Sequence, residues 1–360
     1  MPGQLQALQA VAKEGAADSG PFFAAALSRL LRQYPTVRRV SDLAAADECA
    51  LIIARELGTA KYVEAGPEVW KAVETFSNPL VKSELLMALG KMGAVDYLSH
   101  VAQLLTDLNT LIPSEREVQI RASRVAYGAI LSLESFGDIS GYLPVFFAAN
   151  GWYDSRVKTR AAASLSAITD DPTEPLLQVL QSPGHPCAIK YLALQFEEAS
   201  GAPEASKIRV AALALAEGWL TATVNVRQRN ELAQMRKFSI DMIRRYGIGE
   251  DSTVYGNLAR CYGEGIDINE KLNAIEALSA IATNQAAALL NSFILTVHQR
   301  RQSDSLTRED EQLIRALIPG LGATKQSVGK TSLTQVQRSL HWTPTIRSRA
   351  TVALEDMTLQ

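Results

Sequence analysis

The stretch Pro79-Leu80-Val81-Lys82, followed by Leu85, Ala88, Leu89, Gly90 and Met92, returns near the far end as Pro344-Thr345-Ile346-Arg347, Ala350, Ala353 and Leu354. A chain that repeats its packing positions this way is committed to stacking similar units side by side, because no single unit can bury its apolar face alone. The repeated positions are those that pack unit on unit. The pattern therefore constrains architecture strongly and leaves the ligand unspecified.

Apolar residues recur three and four apart almost throughout Leu5 to Met357, and no run alternates with period two, so the expected fold class is all-α. Glycine and proline punctuate the pattern at Gly66-Pro67, Gly93, Gly137-Asp138, Pro183-Gly184, Gly201-Ala202-Pro203, Gly247 to Gly249 and Gly320 to Gly322. They parse the chain into helices of about 12 to 22 residues.

The clearest units are 78–107, 154–183, 267–298 and 342–357. In the first, Val81, Leu85, Ala88, Leu89 and Met92 form one stripe, Gly93 turns the chain, and Tyr97, Leu98, Val101, Leu104 and Leu105 form the returning stripe. In the second, Val157, Ala161, Leu165 and Ile168 precede an Asp170-Asp171-Pro172 turn. In the third, Lys271, Ala274, Ala277, Leu278 and Ile281 fall in register with Lys82, Leu85, Ala88, Leu89 and Met92. Weaker starts lie at Pro35 to Arg38, Ile120-Arg121, Pro186 with Ile189-Lys190, and Val226-Arg227. The basic residues at 38, 82, 121, 158, 190, 227, 271 and 347 are spaced at about 32 to 44, with one double interval, giving a period near 38. The expected role of this basic residue is to lay its stem over the next unit and reach an aspartate or carbonyl there.

This pattern resembles the HEAT repeat family of armadillo-like proteins, in which a Pro-x-Val-Arg start followed by alanine and Ala-Leu-Gly marks one helix of each antiparallel pair. The resemblance covers most of the chain and implies one continuous right-handed α-α superhelix over 1–360, with about seven to nine helix-pair repeats and irregular stretches at 107–136 and 200–250. It also implies a scaffold or adaptor role.

With 47% hydrophobic residues and a formal charge of −2, the chain can bury a large core and has no overall excess of charge that demands a polyanion. Its longest apolar stretches are too short to span a bilayer, and Met1-Pro2-Gly3-Gln4 lacks a secretory n-region and h-region, so a cytoplasmic protein is expected unless a signal has been removed. The three cysteines, Cys49, Cys187 and Cys261, are far apart and read as reduced buried thiols.

No pattern of chemistry emerges. Val328-Gly329-Lys330-Thr331 looks like the tail of a phosphate loop, but position 324 is Thr324 where a glycine is required, and a flexible inter-helix loop is expected there. His185 and Cys187 supply two of the four ligands that a structural zinc needs. Ser114 with Glu117, and Thr307 with Asp310, read as capping boxes. No cofactor or metal is expected.

Two features suit a partner. Asn225 to Tyr246 reads as a helix with Arg229, Arg236, Lys237 and Arg244 on one flank and Leu232, Met235, Met242, Ile243 and Tyr246 on the adjoining face. Trp152-Tyr153 falls in a turn, where an exposed aromatic would favour protein contact. The leading expectation is a monomeric, non-enzymatic scaffold that binds another protein through its concave face or end repeats. The alternatives are nucleic-acid binding through the basic helix at 225–246, and a lyase or glycosylase built on helical repeats.

Overall fold

The computed structural model describes residues 2–14, 19–220 and 223–357. Among them all regular structure is helical, with nineteen α-helices and five short 3-10 turns. No helix there is long and apolar enough to cross a membrane. The chain divides into two compact units, 1–175 and 176–360.

The first unit contains α1 (Pro2–Glu14), α2 (Gly20–Gln33), α3 (Val40–Ala60), α4 (Gly66–Thr75), α5 (Pro79–Met92), α6 (Leu98–Thr110), α7 (Arg116–Phe136), α8 (Tyr142–Asn150) and α9 (Ser155–Ile168). The division falls within α10 (Thr173–Gln181). The second unit continues with α11 (Cys187–Ala199), α12 (Glu204–Leu220), α13 (Val226–Tyr246), α14 (Thr253–Glu264), α15 (Ile268–Ile281), α16 (Asn284–Gln302), α17 (Arg308–Ala323), α18 (Lys330–Arg338) and α19 (Pro344–Asp356).

Alternate helices stack. In the first unit α1, α3, α5, α7 and α9 pack each on the next, while α2 packs on α4 and α6 on α8. In the second unit α11, α13, α15, α17 and α19 form one such row, and α12, α14, α16 and α18 the other. Of the odd-numbered helices, α3, α5, α7, α9, α11, α13, α15 and α19 lie at or just after the unit starts read from the sequence, and the first turns of four of them show why the chain folds there. Asn78, Asp154, Asn225 and Asp267 cap α5, α9, α13 and α15 by accepting a hydrogen bond from a first-turn amide, satisfying a donor that the helix itself leaves unpaired. The stripe that follows is buried: Val81, Leu85, Ala88, Leu89 and Met92 are at most 3% exposed. Gly93 closes α5 with φ 73°, a left-handed conformation cheap only for glycine.

The tightest packing is α5 on α7. A Cβ at Gly128 would lie 2.6 Å from the Cα and carbonyl oxygen of Ser83, and one at Gly90 would lie 2.7 Å from the Cα of Ser132. Glycine on one helix thus faces serine on the other at two points, and the backbones approach to a distance that no larger residue permits.

Three expectations need correction. The segment 328–331 is not a flexible loop. Ser327–Gly329 is a 3-10 turn leading into α18, and Gly329 is required because a Cβ there would meet Leu321 and Met357 at 2.7 and 2.8 Å. Ser114 and Glu117 form no capping box, because α7 begins at Arg116 behind Glu115, which makes no side-chain cap. Arg38 precedes its helix: Val37 and Arg39 are extended, and the Arg38 guanidinium donates to the carbonyls of Pro35 and Val37. The Thr307–Asp310 capping box of α17 is present as read.

Two glycine substitutions are expected to have opposite signs. Gly128→Ala gains about 1 kcal/mol of helix propensity but forces a Cβ into the backbone of α5, a clash worth about 1 to 3 kcal/mol, so its melting temperature falls. Gly256→Ala, within α14 with no atom inside 4 Å of the added Cβ, gains the propensity alone and its melting temperature rises. Thermal unfolding followed by circular dichroism measures both.

Candidate functional site

The helix read as a basic flank forms as α13 and buries Leu232, Met235, Met242 and Ile243. Its cations are not brought together on one surface. Arg236 turns into the interior, 6% exposed, because Gly218 on α12 leaves room for its stem: a Cβ on Gly218 would lie 2.4 Å from the Arg236 Cγ. Its Nη1 donates to the Gly218 carbonyl at 2.8 Å. Nε and Nη2 donate to the two oxygens of the fully buried Glu270, at 2.5 and 3.1 Å, and the guanidinium carbon sits 4.0 Å from the Trp219 ring centroid. The second oxygen of Glu270 also accepts from the Ile266 amide at 2.9 Å. This pair has geometry and auxiliary hydrogen bonds that can repay the desolvation of two charges.

Lys237 donates to Asp267 at 2.6 Å, and Arg244 pairs with Glu276 and, at 3.3 Å, with Asp241. Arg229 is exposed and, among the described residues, its side chain makes no hydrogen bond or ion pair. Three of the four cations are thus neutralised by acids of the same helix or the next helix in the row. The wheel could not show that Arg236 turns inward or that α15 and its cap supply carboxylates opposite these cations.

Trp152 and Tyr153 pack under the α8–α9 turn. The Trp152 indole donates to the Leu108 carbonyl at 3.1 Å and lies 4.2 Å from the Tyr153 ring, while Tyr153 is 3% exposed and its phenol is pushed well above its ordinary pKa by burial. The pair pins the turn against α6.

Arg300 and Arg301, at the end of α16, are also tied down. Arg300 pairs with Asp310 at 2.8 Å, and the Arg301 Nε donates to the His341 carbonyl at 2.7 Å. His298, 5% exposed, accepts at Nδ1 from the Trp342 indole at 2.9 Å, and its Nε2 lies 3.2 Å from the Gln302 amide nitrogen. Burial and the neighbouring His341 lower its pKa. The Cys261 thiol is pushed up to about 12 by burial and is therefore unreactive. Among the described residues no group of three or more histidine, cysteine, aspartate or glutamate side chains is placed to hold a metal.

One open concavity of the first unit was not singled out by sequence. A groove of about 540 Å³ runs across α5, α7 and the start of α9, with Leu80, Met87, Ile120 and Tyr127 as apolar lining and Arg124 and Arg156 beside them. Its size lies within the range of about 300 to 1,000 Å³ typical of ligand sites. Leu80 and Ile120 are 43% and 49% exposed. Ser83 and Ser123, both buried, lie at its base. The available signal was modest: Leu80 sits one residue from the buried Val81 stripe, and Ile120 directly precedes the basic position of its repeat.

Two outcomes are expected. Arg236→Ala leaves Glu270 buried and uncompensated and costs about 3 to 5 kcal/mol in chemical denaturation, whereas Arg229→Ala stays within about 0.5 kcal/mol. For His298, the unfolded chain titrates near its ordinary value of about 6.5 and the folded chain at a lower pH. The unfolded state therefore binds more protons in between, and stability falls as pH drops through that window. Melting temperatures at pH 7.5 and 5.5 should show this loss, and His298→Gln should reduce it; His185, lowered by burial and Lys190, contributes a remainder.

No protein-family model and no curated protein matches this chain.

Proposed function

We propose that this chain is a HEAT-like α-α superhelical repeat protein that binds another protein and performs no chemistry of its own. The observation that carries the reading is the groove on the row of repeat-start helices. Three consecutive members, α5, α7 and α9, pack edge to edge and still present Leu80 and Ile120 to solvent beside half-buried Met87 and Tyr127. Exposed apolar groups of this size, gathered in one concavity, cost solubility without contributing to the core, and a partner covering them removes that cost.

The rigidity of the row adds to the argument. Helices locked by glycine–serine contacts hold the groove in one shape, so the ordering entropy on binding falls mainly on the partner. The strongly shifted thiol and phenol groups, Tyr153, Cys261 and Tyr262, owe their shifts first to burial within packing contacts, which favours a structural reading of them over a catalytic one. Nucleic-acid binding through α13 has weaker support, because most of its cations already face carboxylates.

Affinity capture with tagged wild-type chain and an Ile120→Asp variant, each with and without nuclease, tests the proposal. The expected result is a protein retained by the wild type regardless of nuclease and lost from the variant. Retention that nuclease abolishes, or that Ile120→Asp leaves unchanged, overturns it.

A further inference from the structure

The charges in the α5–α7–α9 groove are unevenly committed. Each of its acids is engaged. Glu84 pairs with Arg55 at 3.3 Å, Asp154 accepts the Val157 amide at 2.9 Å as the cap of α9, and Glu117, on the adjoining rim, pairs with Arg121 at 2.7 Å. Its other two cations are not. Among the described residues the Arg124 side chain makes no ion pair or hydrogen bond, and the Arg156 guanidinium makes neither but lies over the Tyr127 ring, 5.0 Å from its centroid. Arg156 also occupies the second residue of α9. There the helix dipole is positive and a cation is disfavoured by a few tenths of a kcal/mol, so α9 itself gains nothing from its placement.

From this we infer that the groove takes an extended segment of a partner protein that carries a carboxylate next to an aliphatic or aromatic side chain. The inference rests on the protein-binding reading above and adds the chemistry of the partner. The aliphatic or aromatic group covers Leu80, Met87 and Ile120. The carboxylate lies between Arg124 and Arg156, where a guanidinium offers paired N–H donors matched to two oxygens. With its guanidinium carbon 5.0 Å from the Tyr127 ring centroid, Arg156 is already held in part by that ring, so less side-chain entropy is lost when the anion arrives. The engaged acids define what is excluded: with Glu84 and Asp154 on the wall, a basic segment would have to displace Arg55 or uncap α9.

The test uses the full chain and a displayed random peptide library, with selected sequences resynthesised with a fluorophore and measured by anisotropy. Selected peptides should carry aspartate or glutamate adjacent to an apolar residue. Their affinity should fall about tenfold or more in Arg124→Glu and in Arg156→Glu, as expected for a charge-assisted hydrogen bond, and should weaken at high salt. Both arginines are exposed, and circular dichroism melts of the variants should match the wild type. Peptides without acidic residues, whose binding Leu80→Asp abolishes and charge reversal leaves unchanged, would overturn the carboxylate inference and leave the groove a protein-binding site. Absence of any peptide responsive to Leu80→Asp or to charge reversal would overturn both. A single-stranded or duplex oligonucleotide that binds with the same dependence on Arg124 would replace the peptide partner with nucleic acid and overturn the inference.

Discussion

The close approach of α5 and α7 sets the terms for the first unit. With Gly128 against Ser83 and Gly90 against Ser132, the two helices touch backbone to backbone along their length. Dispersion then acts between main-chain atoms with no flexible side chain intervening. Such a contact has one register, because a one-residue slip would place Tyr127 or Ala129 where only glycine fits. Fixing α5 on α7 fixes the spacing of the row, and hence the depth of the groove that crosses it. The same device recurs in the second unit, where Gly322 faces Ala353 between α17 and α19 and Gly218 faces the stem of Arg236.

Where small residues set the spacing, charged residues set the identity of neighbours. Arg55 reaches Glu84 from α3 to α5, Arg160 reaches Glu134 from α9 to α7, Arg236 reaches Glu270 from α13 to α15, and Lys271 reaches Glu309 from α15 to α17. Most of these pairs are partly exposed and worth little in stability. Their consistency along the row still matters, since a helix placed beside the wrong neighbour would leave its acid or base unmatched. The buried Arg236–Glu270 pair is the extreme case: it joins α12, α13 and α15 through four hydrogen bonds counting those of Gly218 and Ile266, and losing either partner strands a charge in the core.

Helix existence and buried stripes were legible in the sequence because they depend on local spacing. Asn78, Asp154 and Asp267 precede stripes with period 3.6, and capping plus periodicity is a nearly local property. The failures were non-local. Arg236 read as surface because a wheel assigns it an angle without knowing that Gly218, eighteen residues earlier, opens a space for it. Gly329 read as part of a loop because its reason for being glycine lies in Leu321 and Met357. Arg38 read as the first turn of a helix because nothing within its repeat says that Val37 and Arg39 are extended. The expected reach of the basic position to an aspartate or carbonyl of the next unit is approached by Lys271, which pairs with Glu309 of α17, whereas Lys190 pairs with Glu217 of the following helix α12 at 2.8 Å, and Arg121 and Arg227 pair within their own helices with Glu117 and Glu231.

The groove was hidden for a related reason. Repetition identifies residues that every unit needs, and a binding residue is one that a single unit has and the others do not. Arg124 and Arg156 occupy no repeated position, and Leu80 and Ile120 are read most economically as the edge of a buried stripe. Only the placement of α5, α7 and α9 side by side turns these four residues into one surface, and only the full set of ion pairs shows that two of the groove's cations lack an acid. Specificity in a chain of this kind is therefore expected where charge bookkeeping between neighbouring helices fails to close, and in the first unit that failure coincides with the exposed apolar side chains of α5 and α7.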